Sequence, residues 1–452
     1  MLHLSTFTWI RKYRLGILIV GVMTIALGVG WISNPCFGQE AKDLSSQDKS
    51  RLNRLKDGRE AMTAEDKELL KQAAQFQLRR LTQDKYWRRQ PPENKSLDDF
   101  VEDTFKLIPM PAAQKPLSDG QQQFLEAFAS AYLGPIDEAL HHREPIVKVN
   151  AARILARIAE AIGGSYLPSQ AASGQTKVAE ELLKTLKDKD QIDAVKFWAL
   201  HGLEGLFTAS YSYSAVPVNE RPNRRALTKA DLEDQCIVAL VEFVLRKPNL
   251  SPNPTPEEVE AFRYVRRQAI RALGQTRFPA VMNKKEFVGT PTALVLSRVL
   301  VDDGISPTAS LSEKLEAAIG LCQLQTNLTD GYQPDYAARA VGLFIVDLGK
   351  SFNNRPQVGP GQADNYPWKL FAARLLDALR AWKEANPTNT EAGKYIAALF
   401  DKVDAMIRTV QRKQGNVEVN ALQAWLQNPS PNSSLFKGHP EAVVKTAEAS
   451  GE

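Results

Sequence analysis

The segment that decides the fold is Tyr264–Thr276, with the sequence YVRRQAIRALGQT. Its small and apolar residues recur at the spacing of helical turns, as Val265, Ala269, Leu273 and Thr276. This spacing predicts an amphipathic helix with one buried stripe. The three arginines of the segment lie off that stripe, so the pattern also predicts a basic side on the helix.

Four other segments share this pattern, in which an alanine is followed four positions later by a leucine. The five pairs are Ala151/Leu155, Ala199/Leu203, Ala269/Leu273, Ala317/Leu321 and Ala372/Leu376. A neighbouring helix can approach closely at the alanine and interlock with the leucine. Four positions before the alanine the residue is apolar in four segments, and Glu313 is the exception. Stacking such helices produces a continuous core that one helix pair cannot form alone.

From Ser118 onward the predicted helices come in pairs, with Gly, Pro or Asn between them. The first helices are predicted at Gln121–His142, Gln175–Leu186, Thr228–Arg246, Thr292–Val301 and Asp335–Gly349. The second helices are predicted at Pro145–Ile162, Gln191–Phe207, Glu257–Leu273, Leu311–Leu324 and Trp368–Trp382. A further pair is predicted at Glu391–Gln411 and Val417–Trp425. Nearer the N-terminus, Thr63 and Ser96 each begin a capping-box pattern that predicts the start of a helix.

The segments VKVNAARILARIA, VKFWALHGLEGL and VRRQAIRALGQT resemble the second helices of HEAT repeats, with the pattern V-R-x-x-A-x-x-A-L-G. The resemblance covers about Ser118–Trp382 and indicates a divergent, exported, bacterial-type member of the HEAT-repeat (armadillo-like) family. It implies an all-α fold, an α-α superhelix of about five to six helix pairs. It also implies that the array acts as a binding surface, although fold alone does not define function. We expect a polar helical segment at 39–117, the solenoid at 118–427 and a flexible tail at 428–452.

The N-terminal 38 residues have the features of a secretory signal peptide. Basic residues are followed by an apolar run at Leu15–Ile32, and small residues precede Gln39. The run of 18 residues is also nearly long enough to span a bilayer, so an uncleaved anchor at 15–32 is the alternative. Both interpretations place the rest of the chain outside the cytoplasm, in the periplasm or cell envelope. Pro35 before Cys36 does not fit a lipid-attachment motif.

The composition excludes several classes of protein. A net charge of +5 over 452 residues is too weak to indicate a nucleic-acid partner. The basic-aromatic stretch Asp84–Pro92 is interpreted as a turn that packs on the first helices. The three cysteines form no metal-binding or redox motif, and Cys236 and Cys322 are predicted as small core residues, with a disulfide between them as the alternative. No phosphate-binding loop or nucleophile motif occurs, so we predict no enzyme activity, cofactor or metal.

A basic residue lies three positions before each anchoring alanine. The five are Lys148, Lys196, Arg266, Lys314 and Lys369. One interpretation is a row of positive charge for an acidic partner. The other, which we favour, is a set of stacking pairs with an acid six positions earlier, a position that Asp190 and Glu260 satisfy. Acids on the same helices, among them Glu160, Glu204 and Glu316, offset much of the positive charge.

Two positions after the alanine, four of the five residues are basic or titratable, and these are the candidate partner-binding residues of the helices. They are Arg153, His201, Arg271 and Arg374. Long loops add Tyr211, Tyr213 and Tyr366, because loops of this length are often functional and aromatic residues anchor interfaces. The alternative is that these aromatic residues pack back onto the array.

These observations favour an exported, non-catalytic scaffold that binds another protein in the cell envelope. One alternative is a ligand-binding protein or enzyme with its site in a concave basic groove around Arg271, His201 and Arg153. Another is a scaffold that binds an acidic polymer through the row of basic residues.

Overall fold

The computed structural model describes residues 44–83, 96–110, 117–165, 173–208, 227, 229–355, 366–413, 415–428 and 430–445. Contacts divide the chain into Met1–Glu40 and Ala41–Glu452, and every described residue belongs to the second unit. This unit is all-α: its described part contains fifteen helices and one hairpin of two very short strands. The N-terminal signal or anchor segment lies outside the described residues.

The first eight helices are α1 Ser46–Lys56, α2 Ala64–Leu81, α3 Leu97–Leu107, α4 Asp119–Leu140, α5 Pro145–Ser165, α6 Ser173–Lys187, α7 Asp193–Thr208 and α8 Ala230–Leu245. The others are α9 Pro256–Gly274, α10 Thr292–Val301, α11 Leu311–Gln323, α12 Pro334–Asn353, α13 Trp368–Ala385, α14 Glu391–Arg412 and α15 Asn420–Leu426. Strands β1 (Met282–Asn283) and β2 (Glu286–Phe287) pair antiparallel, with Met282 opposite Phe287. The predicted helix pairs agree with these bounds to within about four residues.

The predicted capping boxes explain where two helices begin. The Thr63 side chain accepts a hydrogen bond from the backbone N–H of Asp66, and the Asp66 carboxylate accepts one in return from the backbone of Thr63. Ser96 and Asp99 do the same at the start of α3. Each pair satisfies N–H groups that a helix N-terminus otherwise leaves without a partner. Both predictions of helix starts are therefore confirmed.

Alternate helices form two packed layers with the hydrophobic core between them. One layer contains α3, α5, α7, α9, α11 and α13, each in contact with the next; we call it the stack. The other contains α4, α6, α8, α10, α12 and α14, again each in contact with the next. All five anchoring alanines are fully buried in the stack. Their leucines are buried too, which confirms the packing role that their spacing predicts.

Helices α9 and α11 approach most closely where two glycines meet. A Cβ atom added to Gly274 would lie 2.7 Å from the Cα atom of Gly320. No real Cβ atom sits so close to backbone, so both positions require glycine for this packing distance. The segment Tyr264–Thr276 thus contains, near its C-terminal end, a glycine that sets the distance between neighbouring helices of the stack.

The segment 430–445 differs from the predicted flexible tail. The Asn432 backbone N–H and side-chain amide donate to the two carboxylate oxygens of Asp335, at 3.0 and 2.9 Å. Phe436 is buried and its ring lies 4.9 Å from that of Phe287, centroid to centroid. The segment therefore closes over the start of α12 and the hairpin, because Leu435 and Phe436 need an apolar surface that only the folded array provides.

Both described cysteines, Cys236 and Cys322, are free and buried, so they form no disulfide with each other. Burial raises the pKa of the Cys236 thiol to about 12 and also raises that of Cys322. These thiols therefore stay protonated and behave as small core residues, as predicted. Among the described helices, none has the length and apolar character that a membrane crossing requires.

Gly274→Ala is expected to lower the free energy of unfolding by about 1–3 kcal/mol, the usual cost of overpacking a tight contact. The matched control is Gly174→Ala in α6, where the nearest atom to an added Cβ is 3.7 Å away, an ordinary contact. Urea unfolding followed by circular dichroism measures both. Equal stability of the two variants would contradict the close approach of α9 and α11.

Candidate functional site

Each of the four candidate basic residues forms an ion pair with an acid on the preceding helix of the stack. Arg153 Nη1 lies 2.8 Å from Asp98 Oδ1 of α3, and His201 Nε2 lies 2.9 Å from Glu160 Oε1 of α5. Arg271 Nη2 donates to Glu204 Oε1 of α7 at 2.7 Å. Arg374 donates both Nη groups to Glu316 of α11, at 2.7 and 2.6 Å. The repeated basic position therefore joins helices within the stack.

The α9–α11 interface uses a different pair, because α11 has Ile319 at the repeated basic position. Here Arg266 Nε lies 2.6 Å from Glu313 Oε1, and both side chains are completely buried. The two Nη groups of Arg266 donate to the carbonyl oxygens of Ser306 and Pro307 at 3.1 and 2.8 Å. Each of the three guanidinium nitrogens thus donates a hydrogen bond, as a buried charge requires.

The prediction that Glu260 pairs with Arg266 is wrong. Glu260 instead binds Arg263 at 2.6 Å, one helical turn away on the exposed side of α9. Glu313 replaces an apolar residue because its Oε1 faces Arg266 while its Oε2 caps α11, accepting the backbone N–H of Ser310 at 2.7 Å. The exception in the repeat pattern is therefore the residue that makes the buried pair.

The other members of the row of basic residues do not form one uniform surface. Lys314 is mostly buried and its Nζ lies 2.6 Å from Asp302 Oδ2. Burial and then the nearby Arg246 lower the pKa of Lys196. Asp190, its predicted partner, is one of three nearby acids whose charges oppose this shift. Lys369 is exposed on α13. Since their environments differ so much, these residues do not act as a continuous ladder.

The pairs link into one row of alternating charge across five helices of the stack, from α5 to α13. Glu204 Oε2 lies 3.4 Å from His201 Nδ1 and accepts from Gln268 Nε2 at 2.5 Å. Arg271 Nε lies 3.8 Å from Glu316 Oε2, so the row passes from α9 to α11 and on to Arg374. We call this set, from Glu160 to Arg374, the ion-pair row.

Burial and charge act in opposite directions on the groups of the row. Burial alone would lower the pKa of His201, but hydrogen bonds to Glu160 and Glu204 outweigh it and raise the pKa to about 9. Burial would raise the pKa of Glu204, but His201 and Arg271 outweigh it and lower the value to about 2. At neutral pH, His201 is therefore a cation and Glu204 an anion.

The cations of the row lie nearer to solvent than the anions. The side chains of Arg271 and Arg374 are 38% and 36% exposed, whereas those of their partners Glu204 and Glu316 are 12% and 8% exposed. A charge that faces water dominates the potential outside the protein, while the deeper partner orients it. This part of the stack therefore presents positive charge to solvent although its ion pairs are balanced.

A cavity of about 400 Å³ opens beside the two arginines, between α9, α11 and α13. Arg271, Arg374, Glu204 and Glu316 line it on the charged side. Its remaining lining includes Ile319, Gly320, Ala378 and Ala381, together with Gln275, Gln323 and Asp377. Cys322 also lines it, but as a buried and protonated thiol it is a poor nucleophile. We call this space the Arg271 cavity.

An exposed aromatic patch lies on the same layer, nearer the helix N-termini. The rings of Phe197 and Tyr264 stack at 4.9 Å between centroids, and the Arg267 guanidinium lies 5.0 Å from the Tyr264 ring. Burial raises the pKa of Tyr366 to about 12, and Arg267 is close enough to oppose this shift. Tyr264 is 51% exposed and Tyr366 37%. The predicted Tyr211 and Tyr213 lie outside the described residues.

The sequence left open whether Tyr366 is an interface anchor or packs back onto the helices, and the residue has features of both. Its ring packs against Trp368 and Phe371, at 4.4 and 5.4 Å between centroids, while one edge stays in water. Trp368 itself is buried. A side chain with one packed face and one wet edge is typical of interface anchors.

Within the described ranges, no group of three or more His, Cys, Asp or Glu side chains could hold a metal ion. The groups of the row pair with one another, and these contacts favour the charged forms of His201 and Glu204. Sequence reasoning missed Glu160, Glu204 and Glu316 as partners because it compared each base only with acids of its own repeat.

A comparison with models of known protein families finds no match, and a comparison with curated proteins finds none either. Among solved structures, one of an engineered protein is similar to this chain, with 14% sequence identity and a TM-score of 0.34. The match covers 72% of this chain and 97% of the engineered protein.

A double-mutant cycle on Arg266 and Glu313 tests the buried pair. Arg266→Met is expected to lower the free energy of unfolding by about 3–5 kcal/mol, because Glu313 stays buried without its counter-ion. Glu313→Gln keeps the helix cap, and adding it to Arg266→Met is expected to recover part of that loss. Denaturant titration of the four proteins gives the coupling energy. Strict additivity of the two changes would mean that the residues do not interact.

The row also predicts how stability depends on pH. Since folding raises the pKa of His201 from 6.5 to about 9, its contribution is full below pH 6.5 and is lost as the pH rises through 9. The loss is at most about 1.4 kcal/mol per pH unit. For Glu204 the sign is reversed: its contribution is present above pH 4.5 and is lost as the pH falls toward 2.

His201→Gln is therefore expected to flatten the decline in stability between pH 6.5 and 9, measured by denaturant unfolding at a series of pH values. His141→Gln, at the end of α4, is the control and should leave that decline unchanged. An equally steep decline in the His201→Gln protein would show that His201 does not gain its proton affinity from the row.

Proposed function

We propose that the protein is an exported, non-catalytic, HEAT-like α-solenoid that binds a protein partner in the cell envelope through the exposed side of the stack. The observation that carries the proposal is the aromatic patch of Phe197, Tyr264 and Tyr366 with Arg267 beside it. Tyrosine, tryptophan and arginine are the residues that most often dominate the binding energy of protein interfaces.

The repeated contacts support the HEAT-like part of the proposal. Each helix of the stack contacts the next, the five anchoring alanines and leucines are buried, and each interface carries an ion pair. Repeat proteins built from nearest-neighbour contacts present long surfaces that suit extended partners. The predicted signal peptide supports the envelope location, because it directs the rest of the chain out of the cytoplasm.

The exposure of large apolar side chains supports binding on this layer. Leu370 of α13 is 54% exposed and Tyr264 of α9 is 51% exposed, and both belong to helices of the stack. Exposed apolar groups beside ordered cations are the usual mixture in interfaces that form and dissociate.

An affinity capture with the full chain from an envelope extract of the source organism tests the proposal. Tyr264→Glu places a charge in the patch and is expected to abolish capture of the partner. Val288→Glu is the control: Val288 is 40% exposed but follows the β-hairpin, outside the stack. Capture that is the same for all three proteins, or that recovers nothing with the wild type, would contradict the proposal.

A further inference from the structure

We propose that the Arg271 cavity is an anchor site for an acidic side chain of an extended polypeptide, which lies along the stack from the aromatic patch. The inference rests on the proposed protein-binding function and specifies the chemistry of the partner. It names a carboxylate as the group that enters the cavity, and an apolar or aromatic side chain as the group that packs on Tyr264.

The first argument is the set of donors that the cavity offers. Arg271 uses Nη2 for Glu204 and directs Nε toward Glu316, whereas its Nη1 has no hydrogen-bond partner in the described part of the chain. An Arg guanidinium that is fixed on two sides by carboxylates holds its remaining N–H groups in a defined direction. A ligand carboxylate can accept from this group without displacing either ion pair.

The second argument is the charge around the cavity. Two cations, Arg271 and Arg374, and three anions, Glu204, Glu316 and Asp377, line it. Asp377 is 76% exposed and lies 3.6 Å from Arg380, so this third arginine balances it. The other two anions lie deeper than the arginines of the lining, at 12% and 8% exposure against 38% and 36%. An incoming carboxylate therefore meets Arg271 and Arg374 before it meets their buried partners.

The third argument is the distance between the cavity and the aromatic patch. Tyr264 and Arg271 are seven positions apart on α9, which is close to two helical turns, so they lie on the same side of the helix about 10 Å apart. An extended polypeptide covers about 3.3 Å per residue, so about three residues span this distance. The matching sequence in the partner has an aromatic residue followed three positions later by an acid.

The size of the cavity admits an acidic side chain. About 400 Å³ lies near the lower end of the range for ligand sites, and one acidic side chain leaves room there for several water molecules. The inner wall of Ile319, Gly320 and Ala378 contacts the methylene groups of such a chain. The glutamine pair, Gln275 Nε2 to Gln323 Oε1 at 3.2 Å, closes one end with further polar atoms.

Fluorescence anisotropy with the full chain and a labelled hexapeptide tests the proposal. The probe is Ala-Phe-Ala-Ala-Glu-Ala with both termini blocked; one analogue has Gln for Glu, and another has Gln and a free C-terminal carboxylate. We expect the Glu peptide to bind at least tenfold more tightly than either analogue. Equal affinity of the Glu and Gln peptides would overturn the proposal. Preference for the free C-terminus would overturn the side chain as the source of the carboxylate.

Three variants locate the binding. Ala381→Trp fills the cavity mouth without removing a charge and is expected to abolish binding of the Glu peptide. Arg271→Lys keeps the charge but removes the directed Nη1 group, and at least a fivefold loss is expected. Arg408→Lys is the matched control, because Arg408 of α14 pairs with Asp404 at 2.7 Å and its side chain is 43% exposed. Affinity for this control should stay within twofold of the wild type, and thermal melting confirms that each variant is folded.

The two proposals fail in different ways. If Ala381→Trp still captures the partner from the extract and no peptide binds, the scaffold function stands and the carboxylate anchor is wrong. If the Glu peptide binds and Ala381→Trp abolishes it, but no partner is captured, the anchor stands and the scaffold function is wrong. Unchanged peptide binding by Ala381→Trp would place the acidic group elsewhere and overturn the anchor.

Discussion

The buried ion pair between Arg266 and Glu313 is the constraint on which the middle of the stack depends. Both side chains are inaccessible to water. Each charge therefore needs the other beside it, and only one alignment of α9 with α11 brings the two together. Replacing such a pair by apolar residues is often neutral for stability, and its best-attested role is to fix register. Here it fixes the turn of α11 that faces α9, about two helical turns from the contact of Gly274 with Gly320. Arg271 and Glu316, one to two turns further along, are then brought into the ion-pair row.

The same arrangement explains why the charges of the stack can serve an external partner. The deeper glutamates hold the outer arginines in place, so an incoming carboxylate meets groups that need little reordering. A stack without these pairs would present mobile side chains, whose ordering would oppose binding. The aromatic patch supplies apolar contact on the same layer, and both surfaces rest on helices that the core holds rigid.

Much of the array could be predicted from the sequence, because helix pairs and their alanine and leucine anchors depend on local periodicity. The charge partners could not, because each of these ion pairs between helices joins residues about 40 to 70 positions apart, and the spacing of repeats alone does not tell which acid faces which base. Glu313 looked like a weakness of its repeat until Arg266 was found beside it. The segment 430–445 was interpreted as a tail because its apolar residues are few, yet Leu435 and Phe436 are buried against distant helices.

The central claim is that the exposed side of the stack, and not the other layer, binds the partner. Hydrogen–deuterium exchange of the full chain, with and without the captured partner, tests this most directly, because binding slows exchange where it covers or stabilises backbone. The account predicts added protection in α7, α9 and α13 and unchanged exchange in α6, α8 and α14. Protection confined to α6, α8 and α14 would contradict it.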